Sequence, residues 1–408
     1  MEPGRETDNE IKYLIRAGYP IIYIQSWEEY RVFNALKEIV KQIPGELYEP
    51  KPPKKLVQWS VTEGMNGLKP GISKDVSDPL RALDFIYEYS GEEAVFVLKD
   101  FHHYMQDPMV VRKLRDLVQQ IMGRSTHSES QKKTLILLSP VLKIPEELEK
   151  EIAVIDYSLP AAMDLNAILE EVLAAVDRDK VDLSNLEAKS GEREKIVEAA
   201  LGLTANEAGN VFAKSLIKNK KLDIDVILSE KEQIIRKSGV LEFYRAREQF
   251  SDIGGLNQLK AWLNKRKRAI SIEAREFGLP QPKGILLIGV PGCGKSLTAK
   301  AVGELWKQPL LRFDVGKVFA GLVGSSEENM RKAIRTAEAV APSVLWLDEL
   351  EKGFSGTQSS SFSDAGTTAR VFGSFVTWLQ EKTSPVFFIA TANNINMLPP
   401  ELLRKGHV

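Results

Sequence analysis

"LIGVPGCGKSLTAKAVGEL", residues 287–305, decides how the C-terminal half folds. An apolar strand ending at Ile288 runs into a loop of small residues, then into a helical pattern with apolar residues three and four apart. Inside it Gly289, Gly294, Lys295 and Ser296 make the spacing G-x-x-x-x-G-K-S. Glycines let the backbone wrap so that N–H groups converge on an anion, and the helix that follows adds its positive N-terminal end. Gly289, Val290, Pro291, Gly292, Cys293, Gly294, Lys295, Ser296 and Leu297 are therefore the expected nucleotide-binding loop. Lys295 is expected to reach the β- and γ-phosphates of ATP, and the Ser296 hydroxyl to ligate Mg2+. Cys293 reads as a small residue filling the loop, placed so that alkylation there blocks nucleotide.

Outward from the loop, "PLLRFDV" (309–315), "SVLWLDE" (343–349) and "PVFFIAT" (385–391) alternate with amphipathic helical stretches. Strand and helix in alternation predict a mostly parallel sheet covered by helices on both faces. Asp348 and Glu349 close the strand "VLWLDE" at its carboxyl end, where ligands bind in such sheets. Asp348 is expected to hold Mg2+ through its water shell and Glu349 to polarise the attacking water. Asn393, after "FFIATA", is placed to orient water near the γ-phosphate. The Gly/Ser-rich stretch 353–368 is a loop of unusual length.

The N-terminal half has a similar order, with strands in "PIIYIQS" (20–26), "LVQWSV", "EAVFVLKD" (93–100), "KTLILLSP" (133–140) and "IAVIDYSLP" (152–160). After Pro160 the pattern turns helical. The two halves read as a divergent duplication: an α/β copy over 1–160, a helical subdomain and linker over 161–235, and a P-loop NTPase-like core over 236–408. The first copy has "WEEYR" (27–31) where the second has its glycine loop, and Lys99 near the position of the metal-binding carboxylate, so it is not expected to hold phosphate. His102 and His103 read as surface residues rather than ligands, and "KRKR" (265–268) as a solvated helix face.

A net charge of −1 without aromatic-basic interleaving argues against a nucleic-acid motor. No apolar run approaches the ~20 residues of a membrane span, and the sole cysteine, Cys293, fits a reducing, intracellular aqueous compartment.

Residues 250–406 resemble the AAA family of ATPases, through "FSDIGGL" (250–256), "GVPGCGKS", "VLWLDE" and "IATANNINMLPPELLRKG". Over the whole chain, "SGVLEFY" and the run from "SDIGGL" to "GVPGCGKSL" resemble the AAA-domain family labelled hypothetical chloroplast reading frame forty-six, of algal plastids and cyanobacteria. The resemblance implies that Asp252, Ile253 and Gly254 line the base pocket, that Asn393 is sensor 1, and that Arg404 is an arginine offered to a neighbouring subunit. It further implies a homo-oligomeric ring, usually a hexamer, acting on a protein partner in the cyanobacterial cytoplasm or plastid stroma. Leu322 in "GLVG" stands where the family's pore loop has an aromatic residue, and His407 where a second arginine is expected. The chain stops before a fifth strand and helical lid, so "ILLIG" is expected at an exposed sheet edge, with weak ATP binding and poor turnover as the result. Two functions follow: a Mg-dependent ATPase that remodels or regulates a partner, or a nucleotide-sensing scaffold with little turnover.

Overall fold

In a computed structural model of the chain, β1 (Ile21–Gln25) lies between two parallel neighbours, β5 (Lys133–Ser139) and β6 (Ile152–Asp156). The structure describes residues 3–42, 54–67, 76–124, 133–177, 181–182, 191–245, 248–267, 269, 274, 277–279, 281–306, 308–313, 325–353, 373–395 and 398. The chain divides into two units, Met1–Ala161 and Ala162–Val408.

With β2 (Lys55–Ser60), β3 (Gly64–Asn66) and β4 (Ala94–Lys99), the sheet of the first unit has the order β3-β2-β4-β5-β1-β6. Only the β2–β3 pairing is antiparallel. Helices cover both faces, so the apolar runs of β4 and β5 are buried along almost their whole length rather than alternating. Two cores result, one built around Trp59, Phe96 and Phe101, the other around Ile22, Ile24, Leu36 and Ile136. The short hairpin strand β3 was not foreseen, because three residues are too few to show a period.

The second unit begins with a helical portion: Ala162–Ala174, Glu192–Ala200, Ala205–Asn219 and Ile224–Ser238. Thr204 and Glu207 form a reciprocal capping box at the start of the third of these helices, and Gly239, at φ 72°, ends the fourth. Directly afterwards β7 (Leu241–Tyr244) pairs antiparallel with β9 (Leu310–Phe313), so the segment between the halves is an edge strand of the second sheet. That sheet runs β7-β9-β10-β11-β8, with β8 (Gly284–Ile288), β10 (Ser343–Leu347) and β11 (Val386–Ala392). β8 pairs with β11 alone among the described residues, as expected for this strand at an edge, whereas its counterpart β1 is flanked on both sides.

The helical portion docks on the second sheet's helix Ser325–Ala339. Ile235, Val240 and Leu241 share one core with Met330, Ala333 and Ala337. At Gly202 the approach is closest: a Cβ built there would lie 1.3 Å from the Ala339 carbonyl oxygen, at a positive φ of 86°. Lys231, on the same Ile224–Ser238 helix, is fully buried, and burial pushes its ammonium from 10.5 down to about 7. Between those values the unfolded chain holds a proton that the folded chain has lost, so stability rises with pH. Below about 7 both states carry it and the cost of the buried charge is fully present. Lys231→Met should therefore raise the melting temperature at pH 6–7 by about 5 °C. The gain should shrink as the pH approaches 10; a pH-independent gain would show that ionisation is not its cause.

Each sheet has a left-handed residue just after one of its strands. Asp100 after β4 and Glu349 after β10 both have φ 52°. Superposing "FVLKDFHH" on "LWLDELEK" at these residues puts Lys99 at Asp348 and His102 at Glu351. In the first unit Lys99 pairs with Glu29 at 3.3 Å and Arg31 with Glu28 at 2.8 Å, so salt bridges occupy the region corresponding to the phosphate loop. The expectation that both histidines are superficial fails for His102, which is 5% exposed and hydrogen-bonded through Nδ1 to Ser139 Oγ at 3.1 Å. His103 is exposed. Among the described residues of "KRKR", Lys265 and Lys267 are exposed, and the Arg266 guanidinium lies 3.6 Å from the centroid of the Trp262 ring.

Candidate functional site

The site lies at the carboxyl ends of β8, β10 and β11, where side chains far apart in sequence converge. Gly292 and Gly294 adopt φ 83° and 87°, a conformation a side chain resists, and their Cβ positions face open space. The loop they form ends at the helix Lys295–Trp306. Thr298 stiffens the junction by donating to the Gly294 carbonyl at 2.9 Å. Lys295 folds back over its own loop, its Nζ donating to the carbonyls of Gly289 and Val290 at 2.8 Å each, with Cys293 Sγ at 3.7 Å. Val290, Pro291, Gly292 and Cys293 are exposed; Leu297 is partly buried at the head of the helix.

Ser296 and Asp348, expected as the metal residues, are in contact: the Ser296 hydroxyl donates to Asp348 Oδ1 at 2.9 Å. Thr391, near the end of β11, donates to the same oxygen at 2.6 Å and accepts from the Glu349 backbone N–H at 2.9 Å. Thr391 thus joins both acidic residues to the neighbouring strand. Its left-handed backbone turns Glu349 out of the strand direction, and its carboxylate meets the Lys352 ammonium, whose pKa is raised by that bond. Asn393 is held by Glu351, not by either expected acid: Oε1 accepts from the Asn393 side-chain Nδ2 at 2.7 Å and from its backbone N–H at 3.1 Å.

Asp252 accepts from the Gln249 backbone N–H at 2.8 Å, closing a short turn; Ile253 is buried and Gly254 exposed. Arg404, Leu322 and His407 lie outside the described residues. Sequence reading missed Thr391, Glu351 and Lys352. The one available signal was a further acid, Glu351, two residues beyond Glu349 in the run Asp348-Glu349-Leu350-Glu351.

Among the described residues no group of three or more His, Cys, Asp or Glu side chains gathers to hold a metal ion. A hydroxyl and a carboxylate side by side are instead a hard-oxygen pair, the donor set suited to Mg2+ that keeps most of its other ligands as water and phosphate. No helix among the described residues is long and apolar enough to cross a membrane.

Residues 285–408 match the family described as ATPase family associated with various cellular activities, AAA. Residues 7–157 and 163–238 match the N-terminal and second domains of SpoVK-like AAA ATPases. The AAA domain-containing protein ycf46 of Guillardia theta is 39% identical over 97% of this chain and 74% of that protein. The chain belongs to the AAA family. A second ycf46 protein, from Trieres chinensis, is 38% identical over 98% of the chain and 76% of its own length. The ATPase family gene 2 protein homolog A of Homo sapiens is 28% identical over 66% of the chain and 32% of that protein. Membership of the AAA family brings ATPase chemistry in general, and the loop, strand ends and sheet order described above are the parts of this AAA chain that bear on it.

Proposed function

We propose that this chain is a Mg-dependent ATP hydrolase that works in a homo-oligomeric ring, a hexamer, and couples hydrolysis to remodelling or regulation of a protein partner. The observation that carries the reading is the Ser296–Asp348–Thr391–Glu349 chain of hydrogen bonds, which joins the phosphate loop to the two acids at one sheet edge. On this reading the loop amides and Lys295 bind the phosphates, Lys295 exchanging its two carbonyl partners for phosphate oxygens. Ser296 and Asp348 hold Mg2+, which when bound neutralises phosphate charge. Glu349 takes the proton of the attacking water, Asn393 orients that water, and Asp252, Ile253 and Gly254 border the base. Arg404 serves the neighbouring subunit's nucleotide. The plastid-type relatives support the plastid stroma or cyanobacterial cytoplasm as the compartment. The direct test is phosphate release from Mg-ATP by the full chain beside its Glu349→Gln variant.

A nucleotide-sensing scaffold is the second reading, favoured by the salt-bridged first unit; tight ATP binding without turnover supports it. Both readings require the loop to be open. Alkylating Cys293, the sole thiol, should therefore lower ATP affinity at least tenfold, and bound ATP should slow the alkylation. Unchanged affinity after complete labelling would place the nucleotide elsewhere.

A further inference from the structure

Glu351 is 8% exposed, and its Oε2 is buried without a hydrogen-bond partner among the described residues. A carboxylate kept in such a place costs free energy, since a buried acceptor left without a hydrogen bond is penalised. Both bonds of its other oxygen go to one residue, Asn393. A carboxylate accepts and does not donate, so this contact assigns the amide: Nδ2 faces Glu351, and the Asn393 carbonyl Oδ1 is the end turned away from it. An amide without that partner can flip by half a turn and present a donor where an acceptor had been.

The first unit has a similar brace from the turn after its corresponding strand to the end of the next one, His102 to Ser139. There the brace joins residues with no acidic pair beside them, since Lys99 stands at the Asp348 position. In the second unit it ends on the side chain that follows Thr391 by two residues, beside the acids. The brace is therefore part of the fold in both sheets, and its chemical use is specific to the second.

We propose that Glu351 is a positioning residue for ATP hydrolysis, fixing the plane and the orientation of the Asn393 amide so that its carbonyl faces the attacking water. This rests on the proposed hydrolase reading. Its contacts are with Asn393, and it acts through that residue.

Two measurements on the full chain test it. In the kinetic one, Glu351→Ala lowers kcat about 10- to 100-fold with KM within about threefold. Glu351→Gln, which keeps an acceptor for both Asn393 donors, restores most of that loss. In the Asn393→Ala background Glu351→Ala costs less than about threefold more. In the spectroscopic one, the nucleotide-free chain carries 15N-labelled asparagine, and the Asn393 side-chain amide pair is assigned by its disappearance in Asn393→Ala. That pair shifts in Glu351→Ala and returns towards its original position in Glu351→Gln. Independent, multiplicative losses from the two alanine substitutions overturn the proposal, as does an unmoved Asn393 resonance in a Glu351→Ala chain that is still folded. Should Glu351→Ala fail to fold, Glu351→Leu takes its place in both measurements, beside Glu351→Gln, with the same outcomes deciding. Wild-type chain without Glu349-dependent turnover overturns the hydrolase reading itself and the kinetic role with it. A shifted resonance in that case leaves only the brace.

Discussion

Replacing Glu349 with glutamine lowers the rate of ATP hydrolysis by about 10²- to 10⁴-fold, the usual contribution of a positioned general base, and leaves ATP affinity within about threefold. Three features of the structure lead to that asymmetry. Among the described residues Glu349 makes no hydrogen bond or ion pair with the loop that would bind the phosphates; its backbone N–H is held by Thr391, an anchor that glutamine keeps. Its carboxylate is turned away from the strand by a left-handed backbone, a conformation that persists in a non-glycine residue only where surrounding structure enforces it. On the proposed reading affinity resides instead in Gly289–Ser296, which the substitution does not touch. The assay is phosphate release under saturating Mg-ATP together with equilibrium binding of a fluorescent ATP analogue. Rates that match between wild type and variant would exclude Glu349 as the base. A parallel loss of binding and rate would mean that the glutamate supports the loop, and the catalytic assignment would fall.

The second large effect is on stability. Gly202→Val should cost more than about 4 kcal/mol, the range that needs a named steric cause, because two penalties coincide. Its φ of 86° disfavours any side chain, and the added Cβ would lie within 1.3 Å of the Ala339 oxygen and 2.4 Å of the Ala339 carbonyl carbon. Those atoms are backbone at the end of a packed helix and cannot rotate away. Either the turn after Ala200 or the end of the Ser325–Ala339 helix has to move, opening the core that Ile235 and Leu241 share with Ala333 and Ala337. Gly239 provides the control: its φ is 72° and nothing lies within 4 Å of its Cβ position, so Gly239→Ala should cost only about 1 kcal/mol. Urea unfolding measures both. Similar small losses at the two positions would mean that the helical portion does not dock on the helix Ser325–Ala339 as described.

The glycine loop between strand and helix was legible in the sequence because it is local. Glycines at 289, 292 and 294, a lysine and a hydroxyl sit within eight residues, and the strand and helix on either side announce themselves by apolar period. The parallel strands were legible for a related reason: a strand buried on both faces is an unbroken apolar run, as in "AVFVL" or "VFFIA". The four residues of β7 carry no such run. They form a strand because β9 offers an open edge, and pairing places Leu241 opposite Phe313. His102 has the composition of a surface residue and is buried because the turn after β4 points it at Ser139.

Sequence alone determined that a glycine loop joins a strand to a helix, that Asp348 and Glu349 follow another strand, and that two α/β plans follow one another, since each depends on neighbours in the chain. Only the tertiary structure decided that Thr391 joins Asp348 to Glu349, that Glu351 rather than either acid holds Asn393, and that Gly202 seats the helical portion on the core. Each is a contact across 42 or more residues, made when parallel strands bring distant turns to one edge or when packed helices leave no room for a side chain. A pattern of residue types cannot contain that information, because the partner is chosen by sheet order and register, which emerge from the packing of the whole unit.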